Sequence, residues 1–150
     1  ELGHVRVSSS SQVDSAGIRG TLEAEVTRLE LLAALGLERA DTSLFEAWLL
    51  ADRSARMAAI VNRQLGHLGT ALAGAINLFN PQVIALGGFL AALRASDPDG
   101  LGPVVAGSAL APSLEGVRIT SSALGADLLM VGAAGLAFRP LLDDPASINR

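Results

Sequence analysis

Gly87 and Gly88 follow a short apolar run, Val83 to Leu86, and precede a helix start at Phe89. Paired glycines at a strand-to-helix turn let backbone approach a ligand closely, and amides at a helix N-terminus attract phosphate. The same pair also serves as a tight turn kept for packing. Asp127 stands near a later helix start, where a carboxylate suits the positive end of the helix dipole. The chain has two histidines, His4 and His67, and no cysteine, which excludes disulfides and thiolate metal sites. His67 falls inside a long helical pattern and reads as a surface or packing residue.

The elements that would hold these groups follow from periodicity. Leu2 to Val7 has the β-branched content of a strand and runs into the polar break Ser8 to Ser11. Thr21 is placed to cap a helix running to about Leu35, where Gly36 stops it. Apolar residues from Trp48 through Leu65 to Ile76 recur every three or four positions, which predicts one long helix from about Leu44 to Phe79. Its later half carries Gly66, Gly69 and Gly74, for which close packing against another backbone is the expected compensation. Asn80-Pro81 ends it.

Val83 to Leu86 reads as a strand buried on both faces, Phe89 to Arg94 as a helix and Ser96 to Gly100 as a turn. Leu101 to Leu114 mixes helix and loop signals. Val117 to Ser121 alternates as a strand, and Ala126 to Leu142 reads as a last helix ending near Pro145. Asp143 to Arg150 is an expected loose tail. The late alternation of strands and helices implies parallel β-α-β units in an α/β architecture.

Composition narrows the function classes. At 150 residues, half of them apolar, the chain is about one domain and should fold. Its formal charge is −4, and all eleven basic residues are arginines scattered along the chain, so nothing resembles a DNA-binding surface. Contact with DNA would need an N-terminal domain that is absent here. Glu1 to Val7 is not a signal peptide, and no apolar run reaches a membrane span, so a cytoplasmic location is expected.

Three stretches together resemble the ROK family (repressor, open reading frame, kinase). Glu1-Leu2-Gly3-His4-Val5 is similar to the family's Gly-Glu-x-Gly-His segment without its leading glycine. Asn77 to Gly88 follows its Asn-x-x-Asn-Pro-x-x-Ile-x-Leu-Gly-Gly pattern, and Leu124-Gly125-Ala126-Asp127 with Gly132-Ala133-Ala134 matches its ending. The resemblance implies an α/β fold, an incomplete actin-like or ribonuclease-H-like lobe with helices packed on a small mixed sheet. Residues 1–150 would then be a partial C-terminal lobe, without the first two strands and without the N-terminal lobe. In family kinases that other lobe carries the first phosphate loop and the catalytic aspartate.

By the same resemblance Glu1, His4 and Glu23 correspond to residues that bind sugar hydroxyls. A regular strand would send Glu1 and His4 to opposite faces, so Gly3 would have to permit a bend or bulge. The family's zinc-binding cysteines fall at Asp14, Ala16 and Thr21, which leaves too few ligands for a closed structural site; no metal and no cofactor is expected. The loop from Ser8 to Gly20, lacking that staple, is expected to be mobile or locally refolded. Gly87 and Gly88 lie where family kinases hold adenosine. The expected function is the sugar-sensing effector lobe of a transcriptional regulator or repressor, not an enzyme, taking a small sugar or sugar phosphate within a homo-oligomer. The C-terminal lobe of an ATP-dependent sugar kinase and a ligand-free dimerisation module are the alternatives.

Overall fold

The computed structural model describes residues 1–145; the end of the expected loose tail, 146–150, lies outside the described residues. The chain is mixed α/β and mostly helical. A 3-10 turn at Leu2–His4 is followed by α1 (Leu22–Glu25), α2 (Arg28–Ala34), α3 (Thr42–Ala51) and α4 (Ala55–Phe79). Then come β1 (Val83–Leu86), α5 (Phe89–Ser96), α6 (Leu101–Ser108), α7 (Ala111–Leu114), β2 (Arg118–Ser121) and α8 (Leu128–Asp143).

Helix α4 is the spine of the core. It buries Met57, Val61, Leu65, Leu68, Leu72 and Ile76 on one stripe, as the three-and-four spacing requires. The helix predicted from Leu44 to Phe79 is in fact two. Asp52 accepts the Ser54 amide at 2.7 Å, and Ser54 caps α4 by accepting the Met57 amide at 3.1 Å. A capping side chain satisfies an otherwise orphaned helix amide, so this local chemistry outcompetes continuation. Trp48, expected on the apolar stripe, lies on α3 and is 49% exposed. The first predicted helix also divides, because Thr27 accepts the Glu30 amide and starts α2 afresh. Arg28 then lies over the Phe45 ring at 4.7 Å from its centroid, a cation–π contact joining α2 to α3.

Only one of the three glycines of α4 meets a neighbour closely. A Cβ on Gly69 would stand 2.6 Å from Val104 Cγ1 of α6, whereas Gly66 and Gly74 face open space. Close packing is therefore found at Gly69 alone of the three, and there it is against the Val104 side chain and not, as expected, against another backbone.

Asn77 and Asn80 end α4 in different ways. Asn80 adopts φ 44° and donates its amide to the Ile76 carbonyl, a left-handed helix stop that asparagine tolerates better than most side chains. Asn77 accepts the Leu110 amide at 2.8 Å and donates to the Ser108 carbonyl at 3.3 Å, tying this end to the α6–α7 connection.

Strands β1 and β2 pair in parallel, with Val83 opposite Arg118 and Leu86 opposite Ser121. Only Leu86 is buried in β1, and Val83 is 45% exposed, so the expected burial on both faces is not met. Helix α8 begins after a 3-10 turn at Gly125–Asp127 and exposes Leu129, Leu136 and Phe138. No described helix is long and apolar enough to cross a membrane.

Candidate functional site

Residues Leu2–His4 form a 3-10 turn where a strand was expected. In a 3-10 turn residues three apart eclipse one another, so Glu1 and His4 share a side and the parity obstacle disappears. His4 Nε2 lies 3.2 Å from Glu1 Oε2. Arg6 keeps a single bridge to Thr21, and the Leu22 amide donates to the Val5 carbonyl at 2.9 Å. This pairing sets the start of α1 beside the turn. Glu23, in the first turn of α1, then brings Oε2 to 3.8 Å from His4 Nδ1. The carboxylates of Glu1 and Glu23 thus converge on the imidazole of His4, the third residue singled out from the sequence.

Asp14 organises them. Its Oδ2 stands 2.9 Å from His4 Nδ1 and accepts the Thr21 hydroxyl at 2.9 Å. Its Oδ1 accepts the amides of Ala16 at 3.0 Å and Ile18 at 2.8 Å. Burial opposes ionisation of Asp14, but the donors from His4, Ile18, Thr21 and Ala16 outweigh it and hold the carboxyl down at about 2. An ionised carboxylate only accepts, so His4 Nδ1 carries the proton. The hydrogen bond to Asp14 raises the imidazole above its ordinary value, with Glu23 and Glu1 adding to the effect. Ser15 holds the Glu23 carboxyl below the usual range and donates its amide to Oε1 at 3.1 Å.

A second carboxylate lies behind the loop. Glu25 is buried, accepts the Ser8 hydroxyl at 2.7 Å and also the Ser10 hydroxyl, and faces His67 Nε2 at 3.6 Å. Burial pushes this carboxyl up, and the two serine hydroxyls with His67 and Arg63 bring it below the ordinary range. The sequence did not single out this group, because acids in a helix's first turn read as solvent-facing. His67, read as a surface or packing residue, is half-buried and faces Glu25.

Gly20 closes the loop. It adopts φ 67°, and a Cβ there would strike the Ser8 carbonyl, so only glycine fits. The Val7 amide donates to the Gly20 carbonyl at 2.8 Å, and the Gly20 amide to the Gln12 carbonyl at 2.9 Å. A loop expected to lack a staple therefore has one, made of hydrogen bonds centred on Asp14.

The donor set does not fit a structural zinc. Of the positions matching the family's ligands, Ala16 offers no donor side chain and Thr21 only a hydroxyl. His4, Asp14 and Glu23 present donor atoms within 4.8 Å of one another, but a closed site needs four ligands. The acceptor positions of Asp14 are already filled by four hydrogen-bond donors.

Gly87 and Gly88 follow the C-terminal end of β1. Gly88 adopts φ 56° at the N-terminus of α5, a backbone conformation suited to glycine. Ser121 and Ser122 sit at the same end of the sheet, where parallel strands commonly present ligand sites.

A glucokinase from Thermotoga maritima is 33% identical over 106 residues, 59% of this chain and 33% of that protein. The chain therefore spans about a third of the length of the relative it matches. This likeness overturns the expectation of a lobe that is not an enzyme, since that relative is named for a kinase. Among solved structures, a ROK family transcriptional regulator, a homolog of the E. coli MLC protein, superposes with a TM-score of 0.64 at 21% identity, covering 81% of this chain and 34% of that one. A ROK hexokinase from Thermus thermophilus superposes with a TM-score of 0.56 at 22% identity, covering 85% and 43%. At these identities the two structures speak for the fold, which is the actin-like, ribonuclease-H-like one. The ROK family profile matches residues 1–139, and the chain belongs to the ROK family.

Proposed function

We propose that the chain is part of the sugar-binding lobe of a ROK protein, and that in the whole protein this lobe serves phosphoryl transfer to a sugar hydroxyl. The observation that carries the reading is the convergence of the Glu1 and Glu23 carboxylates on the His4 imidazole. Adjacent sugar hydroxyls each offer a donor and acceptors, and ionised carboxylates give the stronger hydrogen bonds to them. Residues 1–150 supply the C-terminal part of the lobe in this reading, and Gly87 and Gly88 lie beside the nucleotide. The 33% identity to a glucokinase favours the kinase over the regulator.

The second reading keeps the same site as the effector sensor of a transcriptional regulator. The replacement of the cysteine positions by Asp14, Ala16 and Thr21 and the fold likeness to a ROK regulator favour it. Full-length protein mixed with glucose, ATP and magnesium distinguishes the two in a coupled assay for ADP. Glucose-dependent ADP formation that Glu23→Gln lowers about tenfold or more supports the kinase, since a hydrogen bond to a charged group is worth about that factor. Glucose binding without turnover supports the sensor.

A further inference from the structure

Asp14 does two things that an ordinary turn aspartate does not. An Asx turn explains Oδ1, which accepts the nearby Ala16 and Ile18 amides. It does not explain Oδ2, which gathers His4 from ten residues upstream and Thr21 from seven downstream. The Asp14 side chain is fully buried, and Thr21 is fully buried as well. These positions, with Ala16, are the ones matched to the metal-binding residues of the family, and their donor set does not fit that metal.

We propose that Asp14 replaces the metal: it closes the Ser8 to Gly20 loop and acts as a positioning residue that fixes the His4 ring for its ligand. With Nδ1–H held by Asp14, the ring cannot turn over without losing that bond. Nε2 is thereby directed toward Glu1, 3.2 Å away, where a hydroxyl of the ligand would meet it. The ligand part of this inference rests on the sugar-site reading, whereas the clasp itself does not.

The test uses the full-length protein and three readouts. The wild type is expected to contain no zinc by elemental analysis, and its melting temperature is expected to stay the same with EDTA or added zinc chloride. Nitrogen-edited NMR of the imidazole should show a hydrogen-bonded Nδ1–H on His4 that is lost in Asp14→Ala. In Asp14→Asn one acceptor oxygen must serve four donors, so the glucose Kd should rise about tenfold or more with helical content retained. Stoichiometric zinc, a melting temperature that EDTA lowers, or an unchanged His4 signal in Asp14→Ala overturns the clasp. If Asp14→Asn and Asp14→Ala fail to fold, the wild-type zinc and EDTA measurements still decide. Failure of the wild type to bind glucose counts against the sugar-site reading alone, because the zinc and imidazole readouts judge the clasp independently.

Discussion

The His4 imidazole sits among three carboxylates, those of Glu1, Asp14 and Glu23, and its charge is coupled to theirs. The raised His4 value means that its added stability is full below the unfolded value of about 6.5 and declines as pH rises through the folded value. Asp14 behaves oppositely: its contribution is full above its ordinary 3.8 and is lost as pH falls through about 2. The melting-temperature difference between wild type and Asp14→Asn should therefore be largest between about pH 4 and 6.5. A difference that does not vary across pH 2 to 8, roughly the span of these titrations, would contradict the coupling. The residue types of this site were legible by resemblance, while the role of Asp14 was not. The resemblance matched it to a cysteine position, and only the folded turn brings Oδ2 within reach of both His4 and Thr21.

At the scale of the elements, the close approach of α4 and α6 makes a prediction that propensity alone reverses. Gly69→Ala forces a methyl against the β-branched Val104 and should destabilise the chain by about 1–3 kcal/mol. Gly74→Ala, with nothing close to its Cβ, should stabilise by up to about 1 kcal/mol through helix propensity. Urea unfolding of both variants checks this pair; equal effects would contradict the packing. In the loop, Asp14→Cys combined with Ala16→Cys and Thr21→Cys should let the chain take up zinc with His4, measured by elemental analysis. No zinc uptake by a folded triple variant would contradict the assignment of these positions. The long helical stretch that includes α4 was visible in the spacing of apolar residues, whereas α6 and α7 lay in a stretch of mixed signals; β1, β2 and the Asn80 stop appeared where turn chemistry predicted them. Two breaks escaped periodicity, at Val26-Thr27 and at Asp52 to Ser54, because a capping hydroxyl leaves the apolar spacing on either side unchanged. The 3-10 turn at Leu2–His4 was hidden by the β-branched composition that follows it.

For the whole molecule, stability is concentrated on α4 and its neighbours and is thin on α8. Leu65 is fully buried, so Leu65→Ala should cost about 2–5 kcal/mol. Leu136 is 71% exposed, so Leu136→Ala in the isolated chain should change stability by less than about 0.5 kcal/mol. Comparable losses in urea unfolding would contradict this arrangement of the core. The α/β class was readable from the order of elements. The limited burial of β1 was not, because an apolar run reports what a strand can bury and not which neighbours are present to cover it. The central claim is that Glu1, His4 and Glu23 bind one sugar together, and calorimetric titration of the full-length protein with glucose tests it most directly. Saturable binding by the wild type, weakened about tenfold or more in each of His4→Ala and Glu23→Gln, is the predicted result. Equal affinity in the wild type and both folded variants, or no binding by any of them, would contradict it.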